Sequence, residues 1–458
     1  MRLQSRRVVH GRGPAELRVG PGWVDIENDV IVAVGEGTPD DARVADHDFG
    51  DALIAPAFVN AHTHVSLASL RGAIGGATEG NVVEDLFYAF ESRQSADDVR
   101  AFARMGAYES LLCGVGLVWD HYFFGEAMAQ AFEDVGLAAV VGPTLQDLSG
   151  PGTPQWEAQL EATESIANAK RTGIYAAVAP HATDTVSDDL WKRACELAER
   201  LSLPIHAHLA QSPEEYRRAL ERHDATPFGM LEKLGVIEQG GGVFVHCLYL
   251  HEDELATVGD NTLVACPYAQ LQFGFPARVD HWQRAGAKWT VATDCSASND
   301  SFSIRKELRF VAGQRTQATP YGDAYDAFLG RRASAEEVWS ERLAQYQFFD
   351  HQANHEALLH RVWNLAGTLH PGVKAGALYP GYLANVAVWD TSHPAFWPAS
   401  APLSTLAYGD VDGALHAMFV AGRTIGEPGR LRETLLGERY EEHRREASER
   451  LAALRRAR

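Results

Sequence analysis

What most constrains this chain is a repeat of texture. From about residue 57 to about residue 300, short apolar stretches of strand character alternate with stretches rich in helix formers. Eight strand candidates end near His64, Tyr122, Leu145, His181, Ala210, Leu250, Tyr268 and Cys295. The segments between them, such as 95–112, 154–170, 187–201, 213–220 and 252–258, carry amphipathic helical spacing. Alternating β and α units in this number predict a (β/α)8 TIM barrel within an α/β fold. The rival is an open doubly wound sheet, which announces a Gly-rich first turn. No G-x-G-x-x-G follows a strand here.

The flanks read differently. Residues 1–56 hold short alternating or β-branched runs at 16–19, 23–26 and 30–35, broken by glycine turns, and the same texture returns at 384–390 and 414–422. We therefore expect a small β-sandwich domain built from 1–56 plus 373–426, a barrel over 57–372, and a terminal helix over 427–458. That helix is dense in mixed charge, the mark of an exposed element packed by one face. A formal net charge of −20 argues against nucleic acid or an anionic membrane as partner, since both demand a basic face. The five cysteines include no Cys-x-x-Cys pair, which excludes a disulfide framework and a zinc knuckle. No run approaches the roughly eighteen apolar residues of a membrane span. The expectation is a soluble, cytoplasmic protein with a small-molecule partner.

In a barrel of this kind, chemistry collects where strands exit at the C-terminal face. The first candidate strand ends in His62-Thr63-His64, and residues i and i+2 of a strand share a side. The fifth ends in a second His-x-His, His206-Ala207-His208. The sixth carries His246, the eighth carries Thr293-Asp294, and the fourth ends at His181. Imidazoles and a carboxylate at these exits are the donors expected for zinc or another divalent first-row ion. A bridging carboxylated lysine would serve two ions, but strand four, 174–181, contains no lysine, so one ion is expected.

The chain resembles the amidohydrolase superfamily, in particular its cytosine/guanine deaminase and triazine hydrolase-like branch. The likeness rests on 56–64 with Leu70-Arg71-Gly72, on His206-Ala207-His208, Val245-His246-Cys247, Cys266-Pro267 and 293–300, and on the return at 378–386. It implies that His62, His64, His208 and Asp294 bind the metal, zinc or alternatively iron, and that His246 contacts water or substrate. It also implies a homodimer. Asp294 is placed to take a proton from water and pass it to a leaving nitrogen, with His246 polarising the group under attack.

The pattern departs from the family at one chemical position. Deaminases of the branch carry Glu three residues after the second histidine, and here that residue is Gln211. An amide exchanges hydrogen bonds but does not titrate. Glu214 and Glu215 follow one helical turn later and are expected to face elsewhere. The leading expectation is therefore hydrolysis of a carbon–nitrogen, non-peptide bond in a small cyclic or heteroaromatic substrate. An aminoheterocycle deaminase and a halotriazine-type hydrolase are alternatives, as is a metal-retaining binding protein without turnover. Gln211, His181, Arg71, His121 and Asn299 are the candidate substrate contacts. His355 and His360 imitate a zincin pair, but a spacing of five puts them on different helix faces. Asn385 stands where the family often has Asp, at a domain junction.

Overall fold

The computed structural model describes residues 1–39, 43–74, 82–272, 274–314, 323–350 and 354–456. The N-terminal strands are β1 (Arg2–His10), β2 (Arg18–Glu27), β3 (Val30–Glu36), β4 (His47–Asp48) and β5 (Leu53–Pro56). The central strands follow: β6 (Phe58–Thr63), β7 (Val115–Tyr122), β8 (Ala138–Leu145), β9 (Ile174–Ala176), β10 (Ala179–Pro180), β11 (His206–Leu209), β12 (Val243–His246), β13 (Thr262–Ala265) and β14 (Lys288–Val291). The last three are β15 (Val386–Trp389), β16 (Leu415–Val420) and β17 (Arg423–Ile425).

Every pairing among the central strands is parallel. They run in chain order, β6 to β10 in one ladder and β11 to β14 in a second. The ladders meet at the parallel bridge Val178–Ile205, where His206 N–H donates to Val178 O at 2.9 Å. At the other seam Asp294 N–H donates to His62 O at 3.2 Å, returning the eighth strand end to the first. This is the strand order expected from the repeat, with the fourth strand split into β9 and β10. Helices cross outside it, so the central strands are buried on both faces and read as apolar runs.

Strands six, seven and eight stop earlier than expected, at His246, Ala265 and Val291. The residues beyond leave the extended region. His246, Cys247 and Asp294 have φ of 73°, 49° and 61°, and Pro267 opens a helix after β13.

The terminal strands form one hydrogen-bonded sheet, β17-β16-β15-β5-β1-β2-β3, with β4 beside β1. The two packed sheets of a sandwich were expected from 1–56 and 373–426. Instead, β5 pairs with β1 on one side and β15 on the other, joining both termini in one ladder. Register shifts at Ser5/Val8 and Val388/Trp389 let it bend. Alternate residues then serve two cores. Ile54, Val386, Val388 and Phe419 join Leu3, Val24 and Ile31 in a core of the sheet's own. Leu53, Ala387, Trp389 and Met418 face the central strands instead.

The terminal helix Glu438–Arg456 lies on Ala96–Leu112, with Arg104 paired to Glu446 at 2.8 Å and Tyr108 hydrogen-bonded to His443 at 3.1 Å. Positions 457–458 of the expected helix lie outside the described residues. Near its end Leu454 O accepts from Arg93 Nη1 at 3.1 Å. No helix among the described residues is long and apolar enough to cross a membrane.

Asn385 stitches the sheet to the strands beneath it. Its Nδ2 donates to Gly116 O at 2.9 Å and its Oδ1 accepts from Ala421 N–H at 2.8 Å, both buried. Asn385→Ala strands both backbone groups, so a loss of about 2 kcal/mol is expected in denaturant unfolding. Metal content should be unchanged.

Candidate metal centre

Strand geometry puts the donors in one place. His62 and His64 leave β6 with ring centroids 4.7 Å apart, and the ring of His208 sits 4.9 Å from His62 and 5.3 Å from His64. His246 stacks on His208 at 5.4 Å. Asp294 Oδ1 lies 3.7 Å from His62 Nε2 and 3.5 Å from His64 Nε2, and its Oδ2 lies 4.0 Å from His246 Nε2. Two overlapping triads, His62–His208–His246 and His62–His64–Asp294, each bring their donor atoms within 4.8 Å of one another.

The far nitrogens fix which way these rings face. His64 Nδ1 donates to His121 O, and His208 Nδ1 donates to His181 O at 2.9 Å. His62 Nδ1 shares a hydrogen bond of 2.9 Å with His206 Nε2. Each Nε2 is thereby turned to the centre, as outer partners of metal-binding histidines do. The buried Nε2 of His62 has no hydrogen-bond partner among the described residues. Burial, then the neighbouring imidazoles, holds His62 and His208 well below the usual histidine range. Burial lowers His64 and His246 too, against the pull of Asp294. Neutral rings around a carboxylate, with an unpartnered buried nitrogen among them, fit a divalent cation.

Buried carboxyls hold the strand exits. Asp120 accepts from Thr63 Oγ1 and Val65 N–H, each at 2.8 Å, bracketing His64. Asn60 accepts from Thr293 N–H at 3.1 Å and donates to Thr293 Oγ1 at 2.7 Å, fixing the turn before Asp294. Glu215 accepts from Gln211 N–H at 2.7 Å and Thr183 Oγ1 at 2.6 Å. Four residues hold φ near +50° to +70° at these exits, and none is glycine: Ala210, His246, Cys247 and Asp294. Backbone strain of this kind gathers at functional sites.

The donors floor a cavity of about 530 Å3. Among the expected contacts, His121, His181 and Gln211 line it. His121 Nδ1 bonds Thr144 Oγ1 at 2.8 Å and its buried Nε2 is unpartnered among the described residues, while His181 Nδ1 bonds Thr185 Oγ1 at 2.9 Å. Two expected contacts lie elsewhere. Arg71 pairs with Glu109 and is not on the wall. Asn299 is buried behind β14, donating to Thr293 O at 2.7 Å and Glu307 Oε1 at 2.8 Å, where it supports the Asp294 turn. The helical turn after Gln211 also departs from expectation, because Glu214 lines the cavity and Glu215 is buried under the strand end. A helix starting at Pro213 turns these neighbours inward one after the other. His355 pairs with Glu356 and His360 with Arg12 O, so they do not converge.

A segment not expected at the site, 82–91, lends Val83, Glu84, Phe87, Tyr88 and Glu91 to the wall. It belongs to no strand exit and carries no metal-donor spacing. Its signal is a carboxylate, Glu91, embedded among aromatics. Burial pushes Glu91 up to about 7, with Tyr122 as its hydrogen-bonding neighbour.

The amidohydrolase family profile matches residues 53–328, more than half of the chain. The chain belongs to the amidohydrolase family. It is thus a metal-dependent hydrolase acting on carbon–nitrogen bonds other than peptide bonds. A 5-methylthioadenosine/S-adenosylhomocysteine deaminase of Aquifex aeolicus is 25% identical over 418 residues, covering 89% of each chain. An adenosine deaminase of Xanthomonas campestris with bound zinc superposes with TM-score 0.80 at 22% identity, over 99% of this chain and 98% of that one. A triazine hydrolase of Arthrobacter aurescens gives TM-score 0.78 at 16% identity, over 97% and 99%. Those two structures show a shared fold, of the TIM-barrel type typical of amidohydrolases.

Glu307 offers a test of this framework. Burial pushes its carboxyl from 4.5 up to about 7. The folded chain therefore keeps a proton that the unfolded chain gives up. The stabilisation is full below about pH 4.5 and lost as pH rises through about 7. Thermal unfolding at about pH 5 and about pH 8 should show the advantage of wild type over Glu307→Gln shrinking at the higher pH.

Proposed function

We propose that this amidohydrolase holds one divalent ion, zinc, between His62, His64, His208 and Asp294, and deaminates an amino-substituted nitrogen heterocycle. The observation that carries the metal reading is the convergence of neutral imidazoles and one carboxylate on a point where His62 Nε2 has no partner among the described residues. The deaminase reading draws on the Aquifex relative and on a cavity walled by Phe87, Tyr88, Tyr122 and Phe123, which suits a planar ring.

The bound ion supplies Lewis-acid activation of water at neutral pH. The rest falls to the chain. Asp294 Oδ1 is held by Cys295 N–H at 2.7 Å, leaving the carboxylate to accept the proton of the attacking water and hand it to the departing amine. Gln270 Nε2 lies 3.5 Å from His246 Nδ1. With that nitrogen accepting, the His246 proton sits on Nε2, facing the centre as a donor toward the carbon's substituents. Gln211 hydrogen-bonds a ring nitrogen without protonating it. That weakens it as an acid and favours a second reading: release of a group that leaves as an anion, such as halide from a triazine.

Ammonia and chloride release over a panel of aminopurine nucleosides, aminopyrimidines and chlorotriazines separates the two readings. Ammonia from an aminoheterocycle is the expected result, and chloride alone would replace it by the second. Gln211→Glu should raise ammonia release by roughly tenfold or more if the missing acid limits the rate. His208→Ala should lose metal by elemental analysis. Asp294→Asn should cut kcat at least a hundredfold, the scale of one general acid–base group, and a variant with wild-type kcat would refute its role.

A further inference from the structure

The cavity wall has an uneven charge. Among the described residues it carries the carboxyls of Glu84, Glu91, Asp184 and Glu214 above Asp294, and one permanently charged cation, Arg218. That cation is already engaged. Arg218 Nη1 donates to Asp184 Oδ2 at 2.9 Å and Nη2 to Glu84 Oε1 at 2.9 Å. One guanidinium thus bridges the segment 82–91 and the loop after β10 while standing on the helix Pro213–His223. Both forks of the guanidinium that could have met a carboxylate or phosphate on a ligand point at protein carboxylates instead.

Asp184 adds an independent observation. Its side chain is only 8% exposed, and although Oδ2 meets Arg218, its buried Oδ1 has no hydrogen-bond partner among the described residues. An unpaired buried carboxylate oxygen in a residue that lines a cavity raises the cost of bringing a second anion beside it. Glu214, exposed in the same wall, adds to that field.

We propose that the cavity selects heterocycles whose side arm is uncharged or carries an amine, and rejects those whose side arm carries a carboxylate or phosphate. The Arg218 bridge between Glu84 and Asp184 enforces the choice. The proposal rests on the reading of the site as an aminoheterocycle deaminase and adds the charge of the substrate to it. The discrimination acts by repulsion as well as attraction, because an anionic arm must either stand among carboxylates or break the bridge.

The test uses the zinc-loaded full chain with three nucleosides differing only in the side arm: 5′-deoxyadenosine, 5′-amino-5′-deoxyadenosine and adenosine 5′-carboxylate. Calorimetric Kd and kcat/KM for ammonia release are measured for each at low and high salt. The carboxylate should bind on the order of tenfold more weakly than the other two, with the gap narrowing in high salt. If none is deaminated but that order of Kd holds, the charge selection stands and the deaminase reading falls. If all three are deaminated with equal kcat/KM, the reading stands and the selection falls. Failure of the amino compound to bind at millimolar concentration also overturns the selection. Glu84→Gln combined with Asp184→Asn releases Arg218 and should erase most of the discrimination, and adding Arg218→Gln should remove what affinity the carboxylate gained. Glu214→Gln, an exposed change that leaves the bridge intact, should narrow the gap by itself. An unchanged ratio in both Glu214→Gln and the double variant would refute the proposal.

Discussion

Taking seven imidazoles out of water at one end of a parallel-stranded core is tolerable only while they stay neutral, and everything at this site follows from that condition. Burial disfavours the imidazolium form, and neighbouring imidazoles disfavour it further at His62, His121, His181, His206 and His208. A neutral ring has one nitrogen that donates and one that accepts. His64 and His208 spend their donor on backbone carbonyls of adjacent strand exits. Their accepting Nε2 atoms are left 3.3 Å apart, with that of His64 3.5 Å from Asp294 Oδ1. The strands thus orient the donors, and the low dielectric keeps them in the form a cation binds.

Buried acids do the corresponding work one layer out. Asp120, Glu215 and Glu307 each reach a backbone N–H at a strand exit, and burial pushes all three up to about 7. Their role is to gather turns that would otherwise leave polar groups unpaired. Those turns include non-glycine residues in the left-handed region, so the exits are held where an isolated chain would not keep them.

Much of this was legible in the chain because period and position carried it. The eightfold strand–helix repeat and the histidines at strand ends follow from alternation and from where a barrel places strand exits. The inward turn of Glu214 and Glu215 was not legible, since it depends on where the helix Pro213–His223 starts relative to the strand before it. Arg71 and Asn299 followed the right strands yet serve Glu109 and the Asp294 turn, because proximity in sequence to an exit does not settle side-chain direction. The segment 82–91 was invisible for another reason. It reaches the cavity from outside the repeat, and no spacing rule ties it to the metal donors. The sandwich was expected as two sheets because sequence texture shows strands and not their partners. The pairing of β5 with both β1 and β15 is a long-range fact.

The hydrogen bond from Arg93 to Leu454 O has a consequence for how the molecule is made. Arg93 also donates to Ala89 O, so the turn bearing Glu91 is gripped from inside its own segment and from the final helix. Synthesis runs from the N-terminus, and 361 residues separate the two partners. A nascent chain that has just delivered Asp294 owns every donor of the metal centre. It still lacks the buttress behind one wall of the cavity until the last helix has left the ribosome and docked. The candidate metal donors and the buttress behind one wall of the cavity are thus delivered at different points of synthesis, the donors first.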